Sequence, residues 1–176
     1  MDNQKLAELL FPDVTKTPEY YEEKYPYRKL PNKAEVTRLA PSPTGFIHLG
    51  NLYSALTDER LAHRNGGKFY LRIEDTDAKR TVEGAVDTVI NVLRYFTIEF
   101  DEGAGYPDDD ERNAYGPYYQ TQRVDIYHVY AKSLVERGLA YPCFCTEEEL
   151  EEVRKQQEEA KDCLLYTSPR PTRPRL

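Results

Sequence analysis

The stretch "RLAPSPTGFIHLGNLYSAL", residues 38–56, decides the fold. It leaves a short β-branched run, "VTRLA" (36–40), and crosses Pro41, Pro43, Gly45 and Gly50 around Ser42, Thr44 and His48. It then becomes apolar-periodic at Leu52, Ala55, Leu56 and later Ala62. A β-branched run ended by proline reads as a strand, and the periodic run as a helix that stops at Gly66 and Gly67. "KFYLRIED" (68–75) alternates Phe69, Leu71 and Ile73, the pattern of a second strand. Next comes a helical stripe of Val82, Ala85, Val86, Val89, Ile90 and Leu93. Strand, helix, strand, helix is a βαβ unit, so the spacing predicts an α/β fold with a parallel sheet.

Farther along, residues 101–117 are rich in Gly, Pro and Asp and read as a loop. "RVDIYHVYAKSLVERG" (123–138) predicts a helix with Val124, Tyr127, Ala131, Leu134 and Val135 inward and Gly138 as its stop. "LAYPCFC" (139–145) reads as a short strand, and Thr146 with Glu149 as a capping box opening a last helix. In the other direction, residues 1–34 are tyrosine-rich and broken by Pro12, Pro18, Pro26 and Pro31, which predicts short helical turns and loops. At the far end Pro169, Pro171 and Pro174 forbid helix, and residues 163–176 hold three arginines and no acid. That abrupt change reads as sequence outside the domain, either a truncation followed by foreign residues or a native disordered tail.

Composition narrows the class. The chain has 176 residues, 39% hydrophobic and 31% charged, with a formal net charge of −7. That balance suits a globular domain and argues against gripping nucleic acid by unspecific charge, though not against a local basic patch. No run of about 18 apolar residues marks a membrane span, and the start lacks the basic flank of a signal peptide. Three cysteines make no disulfide framework. The expected address is the cytoplasm.

In an open parallel sheet, ligands bind beyond the carboxyl ends of the strands, where "APSPTGFIHLGN" lies. A helix start offers N–H groups and the positive dipole end to phosphate. Gly50 lets a ligand approach the backbone, Thr44 adds a hydroxyl, and His48 can donate to a phosphoryl oxygen as charge builds. These features suit a nucleoside triphosphate attacked at one phosphorus. Neither "GxxxxGK[ST]" nor "GxGxxG" is present, so the common phosphate loops are excluded. A histidine beside a glycine at a helix start is more often a cap, and only the whole string lifts this one above that reading.

That string resembles the first signature of the class I aminoacyl-tRNA synthetases, with "HLGN" in the position of HIGH. The "APSPTG" form resembles bacterial-type glutamyl-tRNA synthetases in particular. "GGKFYLRIEDTD", "YGPYYQTQR" and "GLAYPCFCTEEEL" resemble the same family, in order, across roughly residues 35–161. The resemblance implies a Rossmann-like, HUP-type catalytic domain, of which this chain carries the N-terminal part. It divides the chain into an N-terminal extension (1–34), the catalytic part with the start of an inserted acceptor-binding region (35–162) and the tail (163–176).

It further implies ATP as substrate with Mg2+, L-glutamate, and tRNA(Glu) as partner, in a monomer without a membrane. By resemblance Arg38 faces the side-chain carboxylate of glutamate, Ala40 and Ser42 are substrate contacts, and Glu74 receives the ammonium. Thr44, His48, Gly50 and Asn51 face ATP, with His48 and Thr44 as the catalytic pair. Asn51 departs from the second histidine of HIGH, a change this family tolerates. Asp75 and Asp77 by themselves read as a solvated acidic turn, "DDDER" (108–112) as a solvated loop, and His63 and His128 as ordinary packing or surface residues. Cys143 and Cys145 are only half of a zinc set, with Cys163 the one later cysteine, so no metal site is expected. No KMSKS-like loop occurs, and the chain by itself is expected not to turn over. Two alternatives remain open: a glutamyl-queuosine tRNA(Asp) synthetase, and a non-catalytic fragment that binds ATP, glutamate or tRNA.

Overall fold

A computed structural model of the chain describes residues 2–45, 47–106 and 108–160. The expectations for residues 163–176, including Cys163, lie outside these. Three parallel strands, β1 (Val36–Leu39), β2 (Lys68–Leu71) and β3 (Glu102–Gly103), form one sheet in the order β1-β2-β3. Helix α3 (Leu49–Arg64) joins β1 to β2, and α4 (Ala85–Tyr95) joins β2 to β3. Before β1 stand α1 (Asn3–Leu10) and α2 (Pro18–Lys24); after β3 come a 3-10 turn (Thr121–Arg123), α5 (Val124–Glu136) and α6 (Glu147–Ala160).

The strands follow from their two-residue period. Leu39, Phe69 and Leu71 enter a core with Ala55 and Ala62 of α3 and Val89, Ile90 and Leu93 of α4. Arg38, paired in register with Tyr70, therefore alternates to the other face, together with Arg72. Beyond β2 the ladder continues irregularly: the Arg72 amide donates to Leu39 O at 3.0 Å, and Ile73 bridges in parallel to Tyr119. Regular pairing in β2 thus ends at Leu71 rather than at residue 75.

Four expectations are corrected. Val82 stands outside the helical stripe: Gly84 takes a left-handed φ of 75° just before α4, and the Val82 amide donates to Pro43 O at 2.8 Å. On α5 the buried residues are Val129 and Val135, while Val124, Tyr127 and Leu134 are exposed. The cause is docking, because α5 packs on α1 and α2 rather than on the sheet. Residues 139–145 form no strand: the amides of Leu139 and Ala140 both turn back to Leu134 O at the end of α5, and Pro142 lacks an N–H. The loop at 101–117 contributes β3. The capping box of α6 is present, with Thr146 N to Glu149 Oε2 at 2.8 Å and Glu149 N to Thr146 Oγ1 at 3.2 Å.

The lead-in is folded onto the rest. α1 lies against α5, Lys132 Nζ donates to Val14 O at 2.8 Å, and Phe11 meets the His128 ring at 5.6 Å. Arg28 reaches Glu102 of β3 at 2.5 Å.

Candidate functional site

The chain between β1 and α3 is held from one side by the segment after β2. Pro41 O accepts the Glu74 amide at 3.0 Å and Pro43 O accepts the Val82 amide at 2.8 Å, so Pro43 is buried. Ala40 is half-buried where the strand ends, while Ser42 and Thr44 are exposed, with Thr44 N donating to Ser42 O at 2.8 Å. The stiff prolines fix the turn, and the polar side chains between them face outward.

His48 is the N-cap of α3. Its Nδ1 accepts the Gly50 amide at 3.1 Å, and its own amide donates to Asn51 Oδ1 at 3.2 Å. A neutral imidazole whose Nδ1 accepts carries its proton on Nε2. The cap therefore sets the ring as an exposed Nε2–H donor at the positive end of a 16-residue helix. Gly50 is what lets the ring lie there, since a Cβ would stand 3.0 Å from Cε1 and Nδ1 of His48. His48, Gly50 and Asn51 thus act as one unit, with a capping role and an outward donor in the same residue.

On the sheet face, Arg38 Nη1 and Arg72 Nη2 each donate to Glu74 Oε1 at 2.9 Å. Burial opposes ionisation of Glu74, but the hydrogen bonds from Arg72 and Arg38 outweigh it and hold the carboxyl below its ordinary range. Asp58 of α3 feels the charge of Arg38, though burial pushes its own carboxyl up.

The acidic turn is more than solvated. Asp75 accepts from Thr121 N at 2.9 Å and from Thr121 Oγ1 at 2.6 Å, clasping the "YYQTQ" segment to the end of β2. Asp77 bonds within its own turn: its carboxylate accepts from Arg80 Nε at 2.6 Å, and its carbonyl accepts the Thr81 hydroxyl at 3.0 Å. Ile73 N donates to Tyr118 O at 2.8 Å, and Gln120 N donates to Ile73 O at 2.9 Å. Three of the four quoted strings, near 38–51, 68–77 and 115–123, therefore meet at the carboxyl end of the sheet. The fourth begins at Gly138, where a Cβ would meet the Asn3 side chain of α1.

His63 packs between two elements. Its Nδ1 meets Glu59 Oε1 at 3.1 Å and its Nε2 meets Asp101 Oδ2 at 2.8 Å, joining α3 to the start of β3. Cys143 is exposed, Cys145 is half-buried, and no group of three or more His, Cys, Asp or Glu that could hold a metal occurs among the described residues.

Arg28, Arg72 and Glu102 were missed by sequence reasoning. Arg28 and Arg72 line a cavity of about 490 Å3 with Tyr25, Tyr70, Tyr118 and Arg123, between α2, α5 and the outer face of β2. Arg72 had a legible signal, since it stands two residues from Glu74 and two-residue spacing puts strand neighbours on one face. Arg28 and Glu102 had none, being 74 positions apart.

The family described as tRNA synthetases class I (E and Q), catalytic domain, matches residues 35–173. Among curated relatives, the glutamate–tRNA ligase of Acetivibrio thermocellus is 63% identical over 158 residues, 89% of this chain and 29% of the relative. That of Clostridium perfringens (strain 13) is 55% identical over 157 residues, 89% and 29%. The crystal structure of glutamate-tRNA synthetase from Elizabethkingia anophelis aligns with a TM-score of 0.62 at 39% identity, covering 73% of this chain and 25% of that one. The glutamate tRNA ligase from Elizabethkingia meningosepticum, solved in complex with its amino acid, aligns at 0.61 and 40% identity, covering 74% and 25%. This chain spans less than a third of the length of the curated relatives it matches.

Proposed function

Because the chain belongs to the class I tRNA synthetases (E and Q), we propose that it carries the N-terminal part of the catalytic domain of a glutamate–tRNA ligase. In this reading the α-carboxylate of glutamate attacks the α-phosphorus of Mg·ATP. The P–O bond to the β-phosphate breaks, pyrophosphate leaves, and glutamyl-adenylate forms. A terminal ribose hydroxyl of tRNA(Glu) then takes the glutamyl group and releases AMP. The reaction belongs in the cytoplasm, in a monomeric enzyme; no described helix is long and apolar enough to cross a membrane.

The observation that carries the reading is the Arg38–Glu74 contact at 2.9 Å, next to the His48 donor turn. Glutamate presents an ammonium and two carboxylates. Arg38 exchanges Glu74 for the side-chain carboxylate, and Glu74 exchanges Arg38 for the ammonium, so each charge trades one partner for another. The two ends of the substrate are thereby placed before any chemistry begins. Ala40 and Ser42 lie along the same edge as substrate contacts. Thr44, Asn51 and the His48 Nε2–H lie by the helix start, where negative charge builds on phosphoryl oxygens as pyrophosphate departs. Gly50 serves by seating the ring.

Calorimetry of the chain with a non-hydrolysable glutamyl-adenylate analogue tests this. Binding is expected for the native chain, weakened roughly 10- to 100-fold by Arg38→Ala, as for a lost charge-assisted hydrogen bond. His48→Ala is expected to weaken it by a similar factor. If neither substitution alters affinity, the site assignment is wrong.

A further inference from the structure

We propose that Arg72 is a positioning and charge-balancing residue for the amino-acid site: it holds Glu74 through Oε1 and supplies the net positive charge that favours glutamate over glutamine. The inference rests on the reading of Arg38 and Glu74 given above.

Three side chains meet at one oxygen. Arg38 Nη1 and Arg72 Nη2 both stand 2.9 Å from Glu74 Oε1. Arg72 is the more enclosed cation, with a side chain 22% exposed against 36% for Arg38. Its Nε is buried without a hydrogen-bond partner among the described residues, and Arg72 is one of the residues lining the tyrosine-rich cavity. A cation held this way is less screened than a surface one.

Two consequences follow. When a substrate carboxylate takes Arg38, Glu74 loses one donor, and Arg72 is the one that keeps the carboxylate ionised and aimed at the ammonium. The three groups in contact, two cations and one anion, also sum to +1. Glutamate carries −1 at neutral pH and cancels this charge; glutamine carries zero and leaves it standing. Among the described residues the charged groups in contact with Glu74 are Arg38 from β1 and Arg72 just past β2; Asp58 from α3 acts on Arg38 without a contact ion pair. Without Arg72, Arg38 and Glu74 sum to zero, and the preference rests on the Arg38–carboxylate contact by itself. The positive charge that adds to this contact therefore comes from Arg72, even though Arg72 need not touch the substrate.

The test compares native chain, Arg72→Met and Arg72→Lys, in two readouts. The first is the titration of the Glu74 carboxyl in the free chain, followed by carbon NMR. Arg72→Met is expected to move it upward, and Arg72→Lys to leave it near the native position. The second is calorimetry with the glutamyl-adenylate analogue and its glutaminyl counterpart. Arg72→Met is expected to reduce the preference for the glutamyl form about tenfold and to raise the pH at which binding falls off on the acid side, with Arg72→Lys restoring both. Equal melting temperatures of the three proteins exclude general loosening as the cause. If the Glu74 titration does not move in Arg72→Met, or if the lysine variant behaves like the methionine one, the proposal is overturned. If the native chain binds neither analogue, the reading of the site as a glutamate site fails, and the NMR titration still decides whether Arg72 holds Glu74.

Discussion

Arg28 Nη2 and Glu102 Oε2 meet at 2.5 Å, tying the lead-in before the sheet to its last strand. Glu102 is buried, and its Oε2 also accepts the Tyr118 hydroxyl at 2.6 Å. Burial, and then donation to Glu102, pushes that phenol far above its ordinary range. Arg28 further stacks on Tyr115 at 3.7 Å. Removing Arg28 would leave a buried carboxylate with one phenol for company. Arg28→Met is expected to destabilise the fold by about 3 kcal/mol. Urea unfolding followed by circular dichroism checks this; a loss below about 0.5 kcal/mol would mean that the lead-in docks without need of the pair.

The pH dependence of stability has two limbs. Burial pulls the His63 pKa down, but its bonds to Asp101 and Glu59 prevail and raise it above the ordinary histidine value. A raised folded pKa means stabilisation that is full below the unfolded value of about 6.5 and disappears as pH climbs through the folded one. His63 is one-third exposed, so the effect is under about 1 kcal/mol. Melting temperatures measured from pH 6 to pH 9 are expected to fall in the native chain and to stay flatter in His63→Gln. Identical slopes would remove the imidazolium from the account.

The acid limb has the opposite sign. Burial opposes ionisation of Asp101, yet the Phe69 amide, His63 and Lys68 hold its carboxyl below the ordinary range, as the two arginines do for Glu74. Stability from a depressed carboxyl is present above the unfolded pKa of about 4 and is lost as pH falls through the folded one. Asp101→Asn is expected to flatten the loss of stability below pH 4, and an unchanged acid limb would contradict the role of these bonds.

Gly103 lies in β3 with φ +135°, and a Cβ there would collide with the carbonyl of Leu71. No flexible side chain can yield, because the obstacle is the backbone of β2. Gly103→Ala is expected to destabilise by more than about 3 kcal/mol or to prevent folding. Thermal denaturation decides, and a melting temperature within a degree or two of native would show that the strand can shift.

Asn51→Ala removes the acceptor of the His48 amide and is expected to lower stability by about 1 kcal/mol, the usual scale of a lost cap. Gly50→Ala pushes the His48 ring from its seat. It should weaken binding of the adenylate analogue while leaving the melting temperature nearly native. Proportional loss of stability and binding in both variants would assign His48 to capping alone.

Much of the site region could be read from the chain as written, because the information there is local. Prolines ending a strand, a polar turn, glycines after a helix and a two-residue apolar alternation are all short-range constraints, and β1, α3 and β2 appeared where those constraints act. The same kind of signal misled at the ends. "LAYPCFC" has strand composition, yet its first amides cap α5. Val82 has helical spacing, yet its amide is drawn to Pro43. Asp75 reads as a solvated acid, yet Thr121 claims both its oxygens.

What sequence determined by itself was the βαβ order, the polar turn at the strand end and the family likeness of its strings. Only the tertiary structure decided that Arg38 and Arg72 converge on one oxygen of Glu74, that His48 and Gly50 fix each other, and that Arg28 closes on Glu102. The physical reason is range. Backbone preference and periodicity act over a few residues, whereas a charge finds its partner only after strands 30 or more positions apart have been brought side by side.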